Sequence, residues 1–156
     1  MNRRGTLLVL LALGAATAKR LKLSVVRAGD PEGVGQAFAM HEKEPPEGIV
    51  VAARVETFNL RHEIVRYARR LRVPTISAQP PQWVEDGGLL NYGPNFRESY
   101  RYAATFVDRI LKGAKPADLP VEQIARFSFV VNRKAAKEIG LALPQSILLR
   151  ADRVIE

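Results

Sequence analysis

Ile49-Val50-Val51-Ala52-Ala53 is an unbroken apolar run between Gly48 and Arg54. It is too short for a helix of ordinary length, and it suits a strand that is covered on both faces. Such a strand needs helices above and below it, so the run points to a parallel sheet sandwiched between helices. Residues 21–26 alternate apolar and polar and predict another strand, closed by Ala28-Gly29-Asp30-Pro31. Residues 34–42 place Val34, Ala37, Phe38 and His41 on one helical face before Pro45-Pro46 ends the pattern. Residues 58–71 predict one helix with Leu60, Ile64, Ala68 and Leu71 in a stripe. Residues 73–77 predict a strand, 82–86 a helical turn, and 89–92 a strand after the break at Gly87-Gly88. Phe96, Tyr100, Ala103, Val107, Ile110 and Leu111 give the clearest amphipathic helix, opened by Gly93-Pro94-Asn95 and ended by Gly113. A strand over 127–131 follows, then a helix over 133–139 capped by Asn132, and a final helical segment from Pro144. Strand and helix in strict alternation predict an α/β fold with a doubly wound, mainly parallel sheet.

The first residues read as an address. Asn2-Arg3-Arg4 is basic, residues 6–13 are mostly apolar, and Ala16-Thr17-Ala18 has the small-x-small form of a peptidase site. That order predicts a secretory signal peptide over residues 1–18, cleaved after Ala18, with the rest of the chain in the periplasm. The apolar run is shorter than the ~20 residues of a membrane span. A buried N-terminal strand or an uncleaved anchor is the competing reading. Cleavage would leave 156 − 18 = 138 residues and lower the net charge from +8 to 22 − 16 = +6.

The residue inventory excludes much chemistry. The chain has no cysteine and only two histidines, His41 and His62. Thiol catalysis, disulfides and thiolate-bound metals are therefore out, and a histidine-based triad has little to draw on. No Gly-rich phosphate loop, nucleophile elbow or metalloprotease motif occurs. No catalytic residue, metal site or cofactor is predicted. The polar residues that follow the strands are the better lead, because ligands of open α/β sheets sit beyond the carboxyl ends of the strands. Arg54 and Glu56, Gln79, and Tyr92 with Asn95 occupy such places and are the candidate ligand-binding residues. Arg61, Arg66, Arg69, Arg70 and Arg72 crowd one helix, but Glu63 interrupts them and no aromatic platform accompanies them. They read as a solvated face, and no nucleic-acid partner is predicted. Trp83 reads either as a ligand cover or as a cap on the core.

A family resemblance adds to this. Gly87-Gly88-Leu89-Leu90-Asn91-Tyr92-Gly93-Pro94-Asn95, residues 102–116, and Ala117-Asp118-Leu119-Pro120-Val121-Glu122-Gln123 together resemble the substrate-binding proteins of a bacterial ABC transporter family. This is the group that includes tryptophan- and tyrosine-type binding proteins. Residues 127–132, 135–143 and 151–156 fit as well, and residues 19–77 match more loosely. The resemblance implies a type I periplasmic binding protein: two α/β lobes that close on a small molecule, such as an amino acid, and dock on a membrane permease without catalysing a reaction. It covers residues 19–156 as a single lobe, the second of the two. The expected protein is thus an exported solute-binding component of an ABC importer, truncated and impaired, since one wall leaves a ligand's polar contacts competing with water. Arg54 would pair a ligand carboxylate and Tyr92 would meet a ring. Phe127, Phe129 or the final helix would then expose apolar surface, a contact for a homodimer. Family members are expected to carry an acidic or small residue where this chain has Arg54-Val55-Glu56. The competing expectation is a single-domain α/β interaction module that works through its basic helix.

Overall fold

The structure, a computed structural model, describes residues 6–9, 22–121 and 126–156. Its strands are β1 (Thr6–Val9), β2 (Lys22–Ser24), β3 (Gly48–Val51), β4 (Thr75–Ser77), β5 (Leu90–Pro94), β6 (Phe127–Asn132) and β7 (Arg153–Ile155). They form one sheet in the order β2-β1-β3-β4-β5-β6-β7. The strands from β2 to β5 pair in parallel; β6 runs antiparallel to β5, and β7 parallel to β6. The predicted mainly parallel sheet is therefore present, with a reversed pair at one edge. Chain order reverses across β1, which lies between β2 and β3, so the switch point of the winding falls between β1 and β3.

The helices follow from caps and stripes. α1 (Pro31–Ala39) starts at Asp30, whose Oδ1 accepts from Gly33 N at 2.7 Å, and buries Val34, Ala37 and Phe38 as the sequence predicted. The single helix expected over 58–71 is two: α2 (Val55–Asn59) and α3 (Arg61–Arg70), meeting at Leu60 with φ −91° and ψ 8°. Thr57 causes the early start, because its hydroxyl bonds the backbone just upstream, and no periodicity reveals that. α4 (Gln82–Glu85) carries Trp83 and Val84 into the core. α5 (Phe96–Leu111) is capped by Asn95, and a 3-10 turn (Pro116–Asp118) follows it. α6 (Arg133–Glu138) is capped by Asn132, and α7 (Gln145–Leu148) leads to β7. β7 was not foreseen: three residues carry too little pattern, and only pairing with Val130–Asn132 makes them a strand.

The main core joins Val34, Phe38, Ile49, Val51, Leu60, Ile64, Val65, Ala68, Val73, Trp83, Val84 and Val130. It contains the stripe predicted on residues 58–71. Phe38 stacks on the half-buried Tyr67 at 5.2 Å between ring centres. A second cluster holds Leu89, Ala135, Ala136 and Ile139.

Two expectations concern these elements. The predicted leader contains Thr6–Val9, which is a strand bonded to β2 on one side and β3 on the other. The peptidase-like Ala16-Thr17-Ala18 lies outside the described residues. Exposed apolar surface was expected at Phe127, Phe129 or the final helix. Phe127 and Leu149 are indeed exposed, but the largest such surface is α5, the most amphipathic helix, none of whose residues is buried.

Candidate functional site

Strand register builds the candidate site. Val51 of β3 pairs with Ser77 of β4, and Ser77 pairs with Asn91 of β5, so the last residues of β3 and β4 and the second residue of β5 lie in one row. Ser77 Oγ donates to Val51 O at 3.0 Å and accepts from Gln79 N at 3.2 Å, which turns the chain after β4 back over this row. Gly93 is required here, since a Cβ on it would lie 2.6 Å from Ala78 O, a backbone atom with nowhere to go.

A buried polar network covers the row. Gln79, 1% exposed, donates from Nε2 to Thr57 Oγ1 at 2.9 Å and to Ala52 O at 3.3 Å. A carbonyl can only accept, so this fixes which end of the amide faces Ala52. Thr57 Oγ1 donates to Ala52 O at 2.6 Å and accepts from Arg54 N at 3.3 Å. Asn91 Nδ2 donates to Gln79 O at 2.5 Å. The loops after β3 and β4 and the start of β5 are thus tied together from below. One atom is left over: Gln79 Oε1 is buried with no hydrogen-bond partner among the described residues.

Charge lies on the outer side. Arg54 Nε donates to Glu56 Oε2 at 3.2 Å, and both side chains are more than half exposed. The Glu56 carboxyl is held below its ordinary pKa, first by its own backbone N–H and then by the Arg54 guanidinium. The pair is a fixed plus and minus beside each other at the end of the strand next to the switch point.

Of the predicted residues, the structure brings Arg54, Glu56 and Gln79 together around Thr57. Asn95 is used as a helix cap, its Oδ1 accepting from Glu98 N at 3.3 Å. Tyr92 lies on the sheet face opposite Asn91, as strand alternation requires, and stacks on Phe127 at 5.5 Å with Phe129 edge-on at 6.2 Å. Thr57 is the member that residue patterns missed. The only signal for it was position: Thr57 lies three residues past Arg54 at a helix start.

Two other features are settled by their surroundings. Trp83 is fully buried in the core, so it caps the core and covers no ligand. The arginines of α3 are paired: Arg61 with Asp86, Arg66 with Glu63, Arg69 with Glu138 and Arg70 with Glu42. Arg61 also lies over Phe58, and Arg70 over Tyr67. Local partners neutralise the face that an anionic partner would need.

Residues 9–155 match the family model described as ABC transporter substrate binding protein. The chain belongs to this substrate-binding family. Three solved structures share its fold. One is a conserved domain protein from Vibrio cholerae O1 biovar El Tor, 22% identical, with a TM-score of 0.79 over 96% of this chain and 53% of that one. Another is an ABC domain in complex with L-Trp from Streptococcus pneumoniae, 22% identical, with a TM-score of 0.76 over 97% of this chain and 55% of that one. The third is a ligand-free, open substrate-binding protein with adhesive properties from Clostridium difficile, 17% identical, with a TM-score of 0.67 over 97% and 53%. This substrate-binding chain therefore spans about half the length of each of these three structures. No curated protein matches it.

Proposed function

We propose that this chain forms one wall of a solute-binding cleft serving an ABC importer, and that its ligand is a small zwitterion such as an amino acid. The observation that carries this is the lip built by Arg54, Glu56 and Gln79 over the buried Thr57–Asn91 network. A guanidinium and an ionised carboxylate side by side match the carboxylate and ammonium of an amino acid, and both charges are strengthened once a ligand excludes water. The L-Trp held by one structural neighbour supports this ligand class. The role is binding, with no catalysis.

The remaining parts of the reading follow from family membership. The membrane partner is an ABC permease, and the place of work is the periplasm. The second wall comes from another lobe, in the same polypeptide or in another molecule, and a second copy that covers the exposed apolar surface is the assembly we favour for the lobe alone. A lone wall leaves much of the ligand in water, so it binds weakly.

Calorimetric titration of the full chain with L-Trp and other amino acids tests this. Heat is expected only at millimolar ligand, and it is expected to vanish in Arg54→Ala and in Glu56→Gln. Absence of heat from every amino acid at millimolar concentration, or binding unaffected by both substitutions, overturns the reading.

A further inference from the structure

The Gln79 backbone is fixed on both sides before its side chain reaches Thr57. Its N–H donates to Ser77 Oγ at 3.2 Å, and its carbonyl accepts from Asn91 Nδ2 at 2.5 Å. One residue earlier, Ala78 O lies against Gly93, where a Cβ would stand 2.6 Å away. Asn91 and Gly93 are two apart on β5, so they share one face of the sheet. The turn after β4 is therefore seated on β5 at two places, a side-chain amide against residue 79 and a bare Cα against residue 78. From that seat the Gln79 side chain runs to Thr57 Oγ1 at 2.9 Å. Thr57 Oγ1 accepts from Arg54 N at 3.3 Å and lies 3.0 Å from Arg54 O, so the same hydroxyl holds the backbone of Arg54.

We propose that Asn91 is a positioning residue for ligand binding: at 1% exposure it is too buried to touch a ligand, and it acts on Arg54 and Glu56 through Gln79 and Thr57. The residue type follows from the contact. Gln79 O can only accept, so position 91 has to bring a donor, and an amide brings one without burying a charge. Long charged side chains such as Arg54 and Glu56 recognise a ligand well only when a supporting shell holds them within about 0.5 Å of the productive place. Asn91, Gln79 and Thr57 are that shell. Every contact of this relay lies within residues 52–93, so it operates whatever stands across the cleft.

This role rests on the reading of Arg54 and Glu56 as a ligand-binding lip, yet one of its two readouts needs no ligand. The full chain is titrated by NMR with L-Trp, followed at the Arg54 N–H. It is titrated separately with acid, followed at the Glu56 carboxyl, which its own backbone N–H and Arg54 hold below the ordinary range. Asn91→Ala is expected to weaken L-Trp binding roughly threefold to tenfold, the worth of one hydrogen bond, and to move the Glu56 pKa up toward its ordinary value. Gly93→Ala, which lifts the same turn at its other contact, is expected to do both. Asn91→Ser keeps a donor and is expected to fall between the parent chain and Asn91→Ala. Ile139→Val takes a methyl group from the second core cluster and is expected to lower stability while leaving both readouts alone. If Asn91→Ala and Gly93→Ala move neither readout, the proposal is overturned. It is overturned as well if Ile139→Val moves both as far, since loosening of the whole fold then accounts for the effect. A parent chain that binds no amino acid, with Glu56 still responding to Asn91→Ala, upholds the relay and removes the ligand reading alone.

Discussion

Gln79 Nε2 donates to Thr57 Oγ1 at 2.9 Å, and both side chains are buried where β3 and β4 end. This bond joins the loop after β4 to the first turn of α2, and so sets the height at which Arg54 and Glu56 stand above the sheet.

Thr57→Val removes the hydroxyl and keeps the shape. Gln79 Nε2 then has only its longer bond to Ala52 O, and Arg54 N keeps only its bond to Ala52 O at 3.0 Å. The expected loss is about 1–3 kcal/mol, seen as a lower urea midpoint at unchanged slope. Thr57→Ser keeps the hydroxyl and is expected to cost clearly less. Equal losses in the two variants would remove the hydrogen bond as the cause.

Gly88→Ala is expected to be among the most damaging small changes. Its Cβ would lie 2.2 Å from Trp83 Nε1, and Trp83 is fully buried with no room to swing away. Overpacking of this kind costs about 1–3 kcal/mol, or about 2–4 °C in Tm for each kcal/mol in a chain of this size. Near-ultraviolet circular dichroism of Trp83, the one tryptophan of the chain, should change with it. Gly29→Ala meets nothing within 4 Å and should leave both measurements alone.

Acid titration should report Glu56. Its folded pKa is lowered, so its contribution to stability is present above the unfolded value and is lost as pH falls through the lowered one. Glu56→Gln should therefore flatten that acid limb, measured as the urea midpoint against pH, by lowering stability slightly at neutral pH and leaving it unchanged in acid. An acid limb of unchanged slope in Glu56→Gln would assign it to other carboxylates.

Removal of residues 1–18 should cripple the fold. It deletes β1, which bonds to both β2 and β3 in the interior of the sheet. The shortened chain is expected to lose its cooperative unfolding transition, and the chain recovered from cells is expected to keep Thr6–Val9. A folded product whose mass begins at Lys19 would establish the cleaved leader and overturn this prediction.

Much of the fold was legible in the residues. The apolar run at Ile49–Ala53, the stripes on α1 and α3 and the caps Asp30, Asn95 and Asn132 are local signals, and local signals need no knowledge of neighbours. The candidate site was legible only in part. Arg54, Glu56 and Gln79 follow strands, and position alone marked them. Thr57 became visible only through its hydroxyl bonds to Ala52 O and Gln79 Nε2. Tyr92 shows the limit: its place in the chain resembles theirs, yet strand alternation turns it to the other face.

By itself, the sequence determined the alternation of strands and helices, the absence of thiol chemistry, and family membership, because these reside in composition and short-range pattern. The tertiary structure decided the rest. It made a strand of Thr6–Val9, where the local pattern also fits a leader, because apolar residues are the same to a membrane-targeting signal and to a sheet. It left α5 uncovered, because amphipathicity records that a helix has an apolar face and not which surface meets it.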